Sequence, residues 1–208
     1  YPDVILALDA LGLQTNQIKV LLYQFVTLLR GGEKIKMSTR KATFISLNDL
    51  IDEVGIDVVR YFFVMRGINT HLNFDLDLAA DQSDKNPVYY LQYAHARICN
   101  IIKRIERQGK NLNVYEPNLL TNEFEIDLLK QLELFPNIIL SATDSLEPQV
   151  IASYLQITAT KFHKYYANCR IINDNEDLTL SRAALAKATK NILSSGLKIL
   201  GIKAPEKM

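Results

Sequence analysis

Asn86-Pro87-Val88-Tyr89-Tyr90-Leu91-Gln92-Tyr93-Ala94-His95-Ala96-Arg97-Ile98-Cys99-Asn100-Ile101-Ile102-Lys103-Arg104-Ile105 is the stretch that decides the fold. Asn86 suits a helix cap, and Pro87 suits the first turn, where its missing N–H has no partner to lose. At ~100° per residue, Leu91, Ala94, Ile98, Ile101, Ile102 and Ile105 share one side of a helix running to about Gln108. Tyr93, Arg97, Asn100, Arg104 and Arg107 share another side, with Tyr90 near its edge. The first face is a core stripe. The second interleaves aromatic and basic residues.

The same period continues downstream. After a loop over 109–120, helices are predicted near 123–135, 137–145, 148–168 and 177–200, with Pro136, Pro148 and Gly201 as stops. In the helix from Pro148, the stripe Ile151, Leu155, Thr158, Phe162, Tyr165 and Cys169 is the expected core. Thr160, Lys161, Lys164 and Asn168 lie opposite. Residues 86–208 are therefore expected to form an antiparallel bundle of about five helices.

Upstream of Asn86 the pattern changes. Val4, Leu8 and Leu11 share a helical side before Gly12. Ile18–Leu29 reads as a buried strand ending in the turn Arg30-Gly31-Gly32, and Ala42–Leu47 as a second strand. Asn48 is expected to cap a helix to Val54, and Asp57 another from Val58 to Met65. A strand as apolar as Ile18–Leu29 needs neighbours to bury both faces and satisfy its backbone, so the chain is expected to start inside a larger α/β domain. The fold class expected for the whole chain is mainly α.

Composition excludes little. With 208 residues and 48% hydrophobic content, the chain can bury a sizeable core, and its net charge of +1 does not announce a nucleic-acid binder. Residues 1–85 carry a net −2 and residues 86–208 a net +3. No run approaches the ~18 apolar residues that a membrane span needs. No signal peptide is visible, so a cytoplasmic protein is expected. Cys99 and Cys169 sit in apolar surroundings without metal spacing, as reduced thiols would. No metal site is expected.

The most specific segment is Lys36-Met37-Ser38-Thr39-Arg40. Lysine offers a mobile charge, the hydroxyls offer donors, and arginine can fork onto phosphate oxygens, although a solvated basic loop has the same composition. Gly31 to Arg40 resembles the Lys-Met-Ser-Lys-Ser signature of class I aminoacyl-tRNA synthetases. The segments 49–55, 57–62, 71–79, 86–98 and 200–208 are similar, in order, to the arginyl-tRNA synthetase family. The resemblance implies that Lys36 and Ser38 are catalytic, facing the ATP phosphates, with Met37, Thr39 and Arg40 completing the loop. Thr39 stands where the family has a second lysine, and whether Arg40, Lys41 or a lysine upstream of residue 1 replaces it stays open.

The same resemblance implies that residues 1–85 are the truncated end of an α/β nucleotide-binding domain, that 86–208 form an anticodon-binding domain, and that Tyr90, Tyr93, Arg97, Arg104, Lys164, Tyr166, Asn168 and Met208 contact tRNA(Arg). Stacked bases and neutralised phosphates suit such residues, and a solvated helix face would carry them too. His163 reads as structural. The implied substrates are ATP, with Mg2+ in the full-length enzyme, and L-arginine. The three histidines, His71, His95 and His163, lie outside any His-x-Gly-His context. The chain alone is therefore expected to be inactive, with no cofactor bound, and monomeric. The competing expectation is a stand-alone RNA-binding or protein-interaction helical module.

Overall fold

The structure is a computed structural model that describes residues 1–37 and 44–208. The chain is mainly α. A three-stranded sheet with short flanking helices leads into a bundle of long helices. The Asn86 carboxamide oxygen accepts the N–H groups of Val88 and Tyr89 at 3.0 and 3.4 Å and starts α5 (Pro87–Glu106) as expected. Its amide donates to Ala79 O and Asp81 O at 3.0 and 2.9 Å, so one buried side chain also fastens the preceding segment to the bundle.

The bundle continues with α6 (Glu123–Glu133), α7 (Phe135–Ser145), α8 (Gln149–Asn168) and α9 (Glu176–Ile199). Helix α8 is central and packs against the other four. The expected stripe Ile151, Leu155, Thr158, Phe162, Tyr165 and Cys169 is buried throughout. Gly196 permits close approach of α9 to α8, because a Cβ there would stand 2.6 Å from Leu155 Cδ2. On α5 the buried set is wider than the stripe: His95, Ala96 and Cys99 are also covered, whereas Ile101 is half-buried. Both cysteines are free and buried. Among the described residues no helix is long and apolar enough to cross a membrane.

The amino-terminal part departs from expectation. After α1 (Pro2–Ala10), only Val26–Arg30 forms strand β1; residues 18–25 do not, and Leu22, Tyr23 and Phe25 are exposed. A strand extends only where a partner takes its backbone groups. Strand β3 (Leu72–Asp75) pairs in parallel with residues 26–29 and no further. Strand β2 (Glu33–Lys34) returns antiparallel to β1 through Gly31 and Gly32, at φ +60° and +77°, which suits a tight hairpin.

The strand expected over 42–47 lies partly outside the described residues. Its described part, Phe44–Ser46, is not a strand, and Leu47 already belongs to α2 (Leu47–Val54). Ser46, not Asn48, is the cap: Ser46 Oγ accepts Asp49 N–H at 3.2 Å while the Asp49 carboxylate accepts Ser46 N–H at 2.7 Å. Likewise Gly55, not Asp57, precedes α3 (Ile56–Val64). Helix α4 (Leu76–Ala80) follows β3 directly. One hydrophobic cluster runs from Leu28 of β1 through Tyr61 and Phe74 to the bundle and Ile202.

Candidate nucleic-acid interface

Residues expected to hold phosphate come first. Ser38, Thr39 and Arg40 lie outside the described residues. Lys36 and Met37 are exposed, just beyond the hairpin. Its end is held by Ile35 N–H donating to Leu28 O at 2.9 Å. Lys36 thus leaves a fixed root and reaches solvent.

The expected RNA-contacting residues behave differently. Tyr93, Arg97 and Arg104 of α5, Tyr166 and Asn168 from the end of α8, and Met208 all line one open cleft of about 820 Å³. Periodicity places 93, 97 and 104 within ~40° on α5; only the crossing of α5 and α8 brings in Tyr166. Arg97 is the centre of the arrangement. Its guanidinium lies 4.5 Å from the Tyr93 ring centroid and 4.9 Å from that of Tyr166, and it hydrogen-bonds the Tyr93 hydroxyl. Such contacts hold a cation and two aromatic faces in register.

Tyr89 stacks on Tyr93 at 6.3 Å, and Phe162 backs Tyr166 at 6.1 Å, so the aromatic series continues on both sides. Arg170, on the turn after α8, adds a third guanidinium, and Asn100 adds an amide. No side-chain carboxylate is among the described residues that line the cleft, so its charged side chains are all guanidinium groups.

Two expected residues are not part of this cleft. Tyr90 is half-buried, with its ring 4.8 Å from His163 and its hydroxyl 3.5 Å from Thr160 Oγ1. Lys164 is exposed and does not line the cleft; its backbone carbonyl accepts the Asn168 amide at 2.8 Å. Arg170 and Asn100 complete the surface. The signal for Asn100 was its place on the Tyr93 face, whereas Arg170 follows the helix and has no periodicity to reveal it.

His163 belongs to the support of this cleft. Its ring lies near-parallel to Tyr93 at 6.2 Å, and its Nε2 is buried with no hydrogen-bond partner. Burial, and secondarily the Arg97 charge, push its pKa down to about 4. The folded state therefore favours neutral His163. The stability this contributes is fully present above the unfolded-state pKa near 6.5 and is lost as pH falls toward about 4. His163→Gln is expected to flatten the fall in melting temperature between pH 6.5 and 4; an unchanged pH profile would show that another group carries it.

Among the described residues no three His, Cys, Asp or Glu side chains converge on one point. A second hollow, of about 360 Å³, lies between Tyr23, Phe63, Arg66 and Gln149. It has one guanidinium and no Arg–Tyr stack.

Residues 91–208 match the sequence profile of the DALR anticodon binding domain. The whole chain is 51% identical, over 209 aligned residues, to an arginine–tRNA ligase of Salinibacter ruber, of which it covers 37%. It is 47% identical to the arginine–tRNA ligase of Chlorobaculum tepidum, again along its whole length and over 38% of that relative. The chain thus spans little more than a third of the curated relatives it matches. A Campylobacter jejuni protein, solved under a provisional assignment as an arginyl-tRNA synthetase, superposes with a TM-score of 0.79 at 30% identity. That match covers 100% of this chain and 45% of the other. The Thermus thermophilus arginyl-tRNA synthetase shares the fold, with a TM-score of 0.71 at 24% identity over 88% of this chain and 34% of its own.

Proposed function

The chain belongs to the family of DALR anticodon-binding domains, and on that premise we propose that it is the part of an arginine–tRNA ligase that holds the anticodon of tRNA(Arg) and the ATP phosphates. The full enzyme joins L-arginine to AMP and then to tRNA(Arg), as a cytoplasmic monomer. Residues 86–208 act as the RNA-binding domain and residues 1–85 as the end of the catalytic one.

The observation that carries the RNA reading is the cleft. It presents Arg97 between Tyr93 and Tyr166, adds Arg104 and Arg170, and has no lining side-chain carboxylate among the described residues. Unpaired bases stack on aromatic and guanidinium planes, and the remaining cations neutralise phosphates. Asn168 and Asn100 offer amides to base edges, and Met208 offers a polarizable apolar contact.

A salt titration of tRNA(Arg) binding tests this. A stacked base is typically worth about 1–3 kcal/mol, so Tyr93→Ala is expected to weaken binding by roughly fivefold to a hundredfold. Arg104→Ala is expected to reduce the log–log salt slope by roughly 0.7–0.9 for the one contact it removes. Lys130→Ala, on the exposed side of α6, is expected to leave both unchanged. Folded Tyr93→Ala that binds as tightly as the parent would move the interface elsewhere.

The second element is the loop at Lys36 to Arg40. In this reading, Lys36 and Ser38 face the ATP phosphates, with Met37, Thr39 and Arg40 around them. Among the described residues no three His, Cys, Asp or Glu side chains are grouped to hold a metal ion; in this reading magnesium accompanies ATP in the full-length enzyme. Lacking a His-x-Gly-His segment, the chain alone is expected to show no arginine-dependent ATP–pyrophosphate exchange. Exchange above a heat-killed control would overturn that.

A further inference from the structure

The residues after α9 do not trail into solvent. Gly201, at φ +71°, ends the helix, with its N–H on Lys198 O and the N–H of Ile202 on Leu197 O at 2.9 and 2.8 Å. From there the chain is fastened to α5 at three successive points. Gln92 Nε2 donates to Lys203 O at 3.0 Å and to Asp57 Oδ2 at 3.1 Å. His95 Nδ1 lies 2.9 Å from Pro205 O. A carbonyl oxygen can only accept, so this nitrogen carries the proton. Lys103 pairs with Glu206 at 2.5 Å. Two residues later Met208 lines the cleft that contains Tyr93, Arg97 and Tyr166, while also bordering a neighbouring hollow beside Tyr89.

The anchors differ in kind. Lys103 and Glu206 are substantially exposed, and such pairs contribute little. His95 is 4% exposed, beneath the strap, with Cys99 Sγ 3.8 Å from its Nδ1. It cannot touch RNA. Its ring is buried and its bond to the half-buried Pro205 carbonyl is part-buried, so loss of the carbonyl leaves a covered N–H unsatisfied.

We infer that residues 201–208 form a strap whose buried anchor, His95, helped by Gln92, positions Met208 for RNA recognition at the Tyr93–Arg97–Tyr166 cleft. His95 and Gln92 are positioning residues: they act through the strap. The inference rests on the cleft being the RNA interface. It adds that part of the affinity is held by two hydrogen bonds outside that interface. The strap makes Met208 part of a preformed surface, so its ordering is complete before RNA arrives.

The chain has only three methionines, Met37, Met65 and Met208, so methyl-labelled methionine reports on each separately. His95→Leu keeps bulk and removes the donor; His95→Asn replaces the donor at the same number of bonds from the backbone. With His95→Leu, the Met208 methyl signal is expected to move to its random-coil position while Met65 stays, and tRNA(Arg) affinity to fall about five- to tenfold. His95→Asn is expected to restore both, the affinity to within about twofold. Met208→Ala is expected to reproduce the affinity loss with the strap intact. Release of Met208 with unchanged affinity would overturn the inference, as would an unmoved Met208 signal in folded His95→Leu. If His95→Leu fails to fold, Gln92→Ala, which removes the second donor to the strap, is read instead, with a partial shift of the Met208 signal and an affinity loss of about two- to threefold expected; an unmoved Met208 signal and unchanged affinity would overturn the inference. Failure of the interface reading looks different: Tyr93→Ala would then bind as the parent does.

Discussion

Arg182→Met is expected to destabilise the chain by about 3–5 kcal/mol, because it strands a charge inside the bundle. Glu125 is completely buried. One carboxylate oxygen accepts Arg182 Nε–H at 2.6 Å; the other accepts Asn122 N–H at 2.9 Å and closes the capping box of α6. Arg182 also donates from Nη1 to Arg170 O at 2.9 Å, and its own carbonyl accepts the Tyr165 hydroxyl at 3.0 Å. Methionine keeps much of the aliphatic contact, so the loss reports the ion pair and its hydrogen bonds. Glu125→Gln retains an acceptor for Asn122 and removes the charge. In that background, Arg182→Met is expected to cost less than half as much in urea unfolding. Equal costs in both backgrounds would show that the buried charge is not the cause. Because Arg182 holds the carbonyl of Arg170, which lines the cleft, the variant is also expected to weaken RNA binding under conditions where it remains folded.

If the proposed function holds, Lys36→Ala in the full-length ligase is expected to lower the rate constant of arginyl-adenylate formation roughly a hundredfold, with ATP affinity changed by no more than about threefold. When the arginine carboxylate attacks the α-phosphorus, negative charge builds on the departing pyrophosphate. A cation that meets this developing charge stabilises the transition state more than the bound nucleotide. Lys36 is exposed and follows a strand end held by the Ile35–Leu28 hydrogen bond, so its reach starts from a defined point. Single-turnover kinetics separates the two effects. A loss confined to ATP affinity, with the adenylation rate intact, would remove Lys36 from the chemical step.

The long helices were legible because their signals are local. Asn86 capping the helix that starts at Pro87, the apolar stripe of α5 and that of α8 each depend on residues within a few turns, and the structure retains all three, with Ile101 of the α5 stripe only half-buried. The apolar run 18–25 was not legible. β-branched and aromatic composition says that a segment can be a strand, but a ladder exists only where a second strand takes its backbone groups, and β3 meets only residues 26–29. The capping box at Ser46 was legible in principle, since Ser46 and Asp49 have the required spacing, but Asn48 offers the same side-chain chemistry two residues later.

By itself the sequence determined a mainly α chain with a Tyr/Arg face on α5 and a basic loop after a glycine turn, since both follow from residue type and period along one segment. Tertiary structure decided which of those side chains form a surface. It brought Tyr166, Asn168, Arg170 and Met208 to Tyr93 and Arg97, left Tyr90 and Lys164 aside, and set the unpartnered His163 nitrogen behind the stack. It also fastened Pro205 to His95, 110 residues away in the chain. The reason is physical: a helix face specifies its own core side by its period, but which distant group meets its polar side depends on how the helices cross, and helix crossing is set by the packing of all the stripes together.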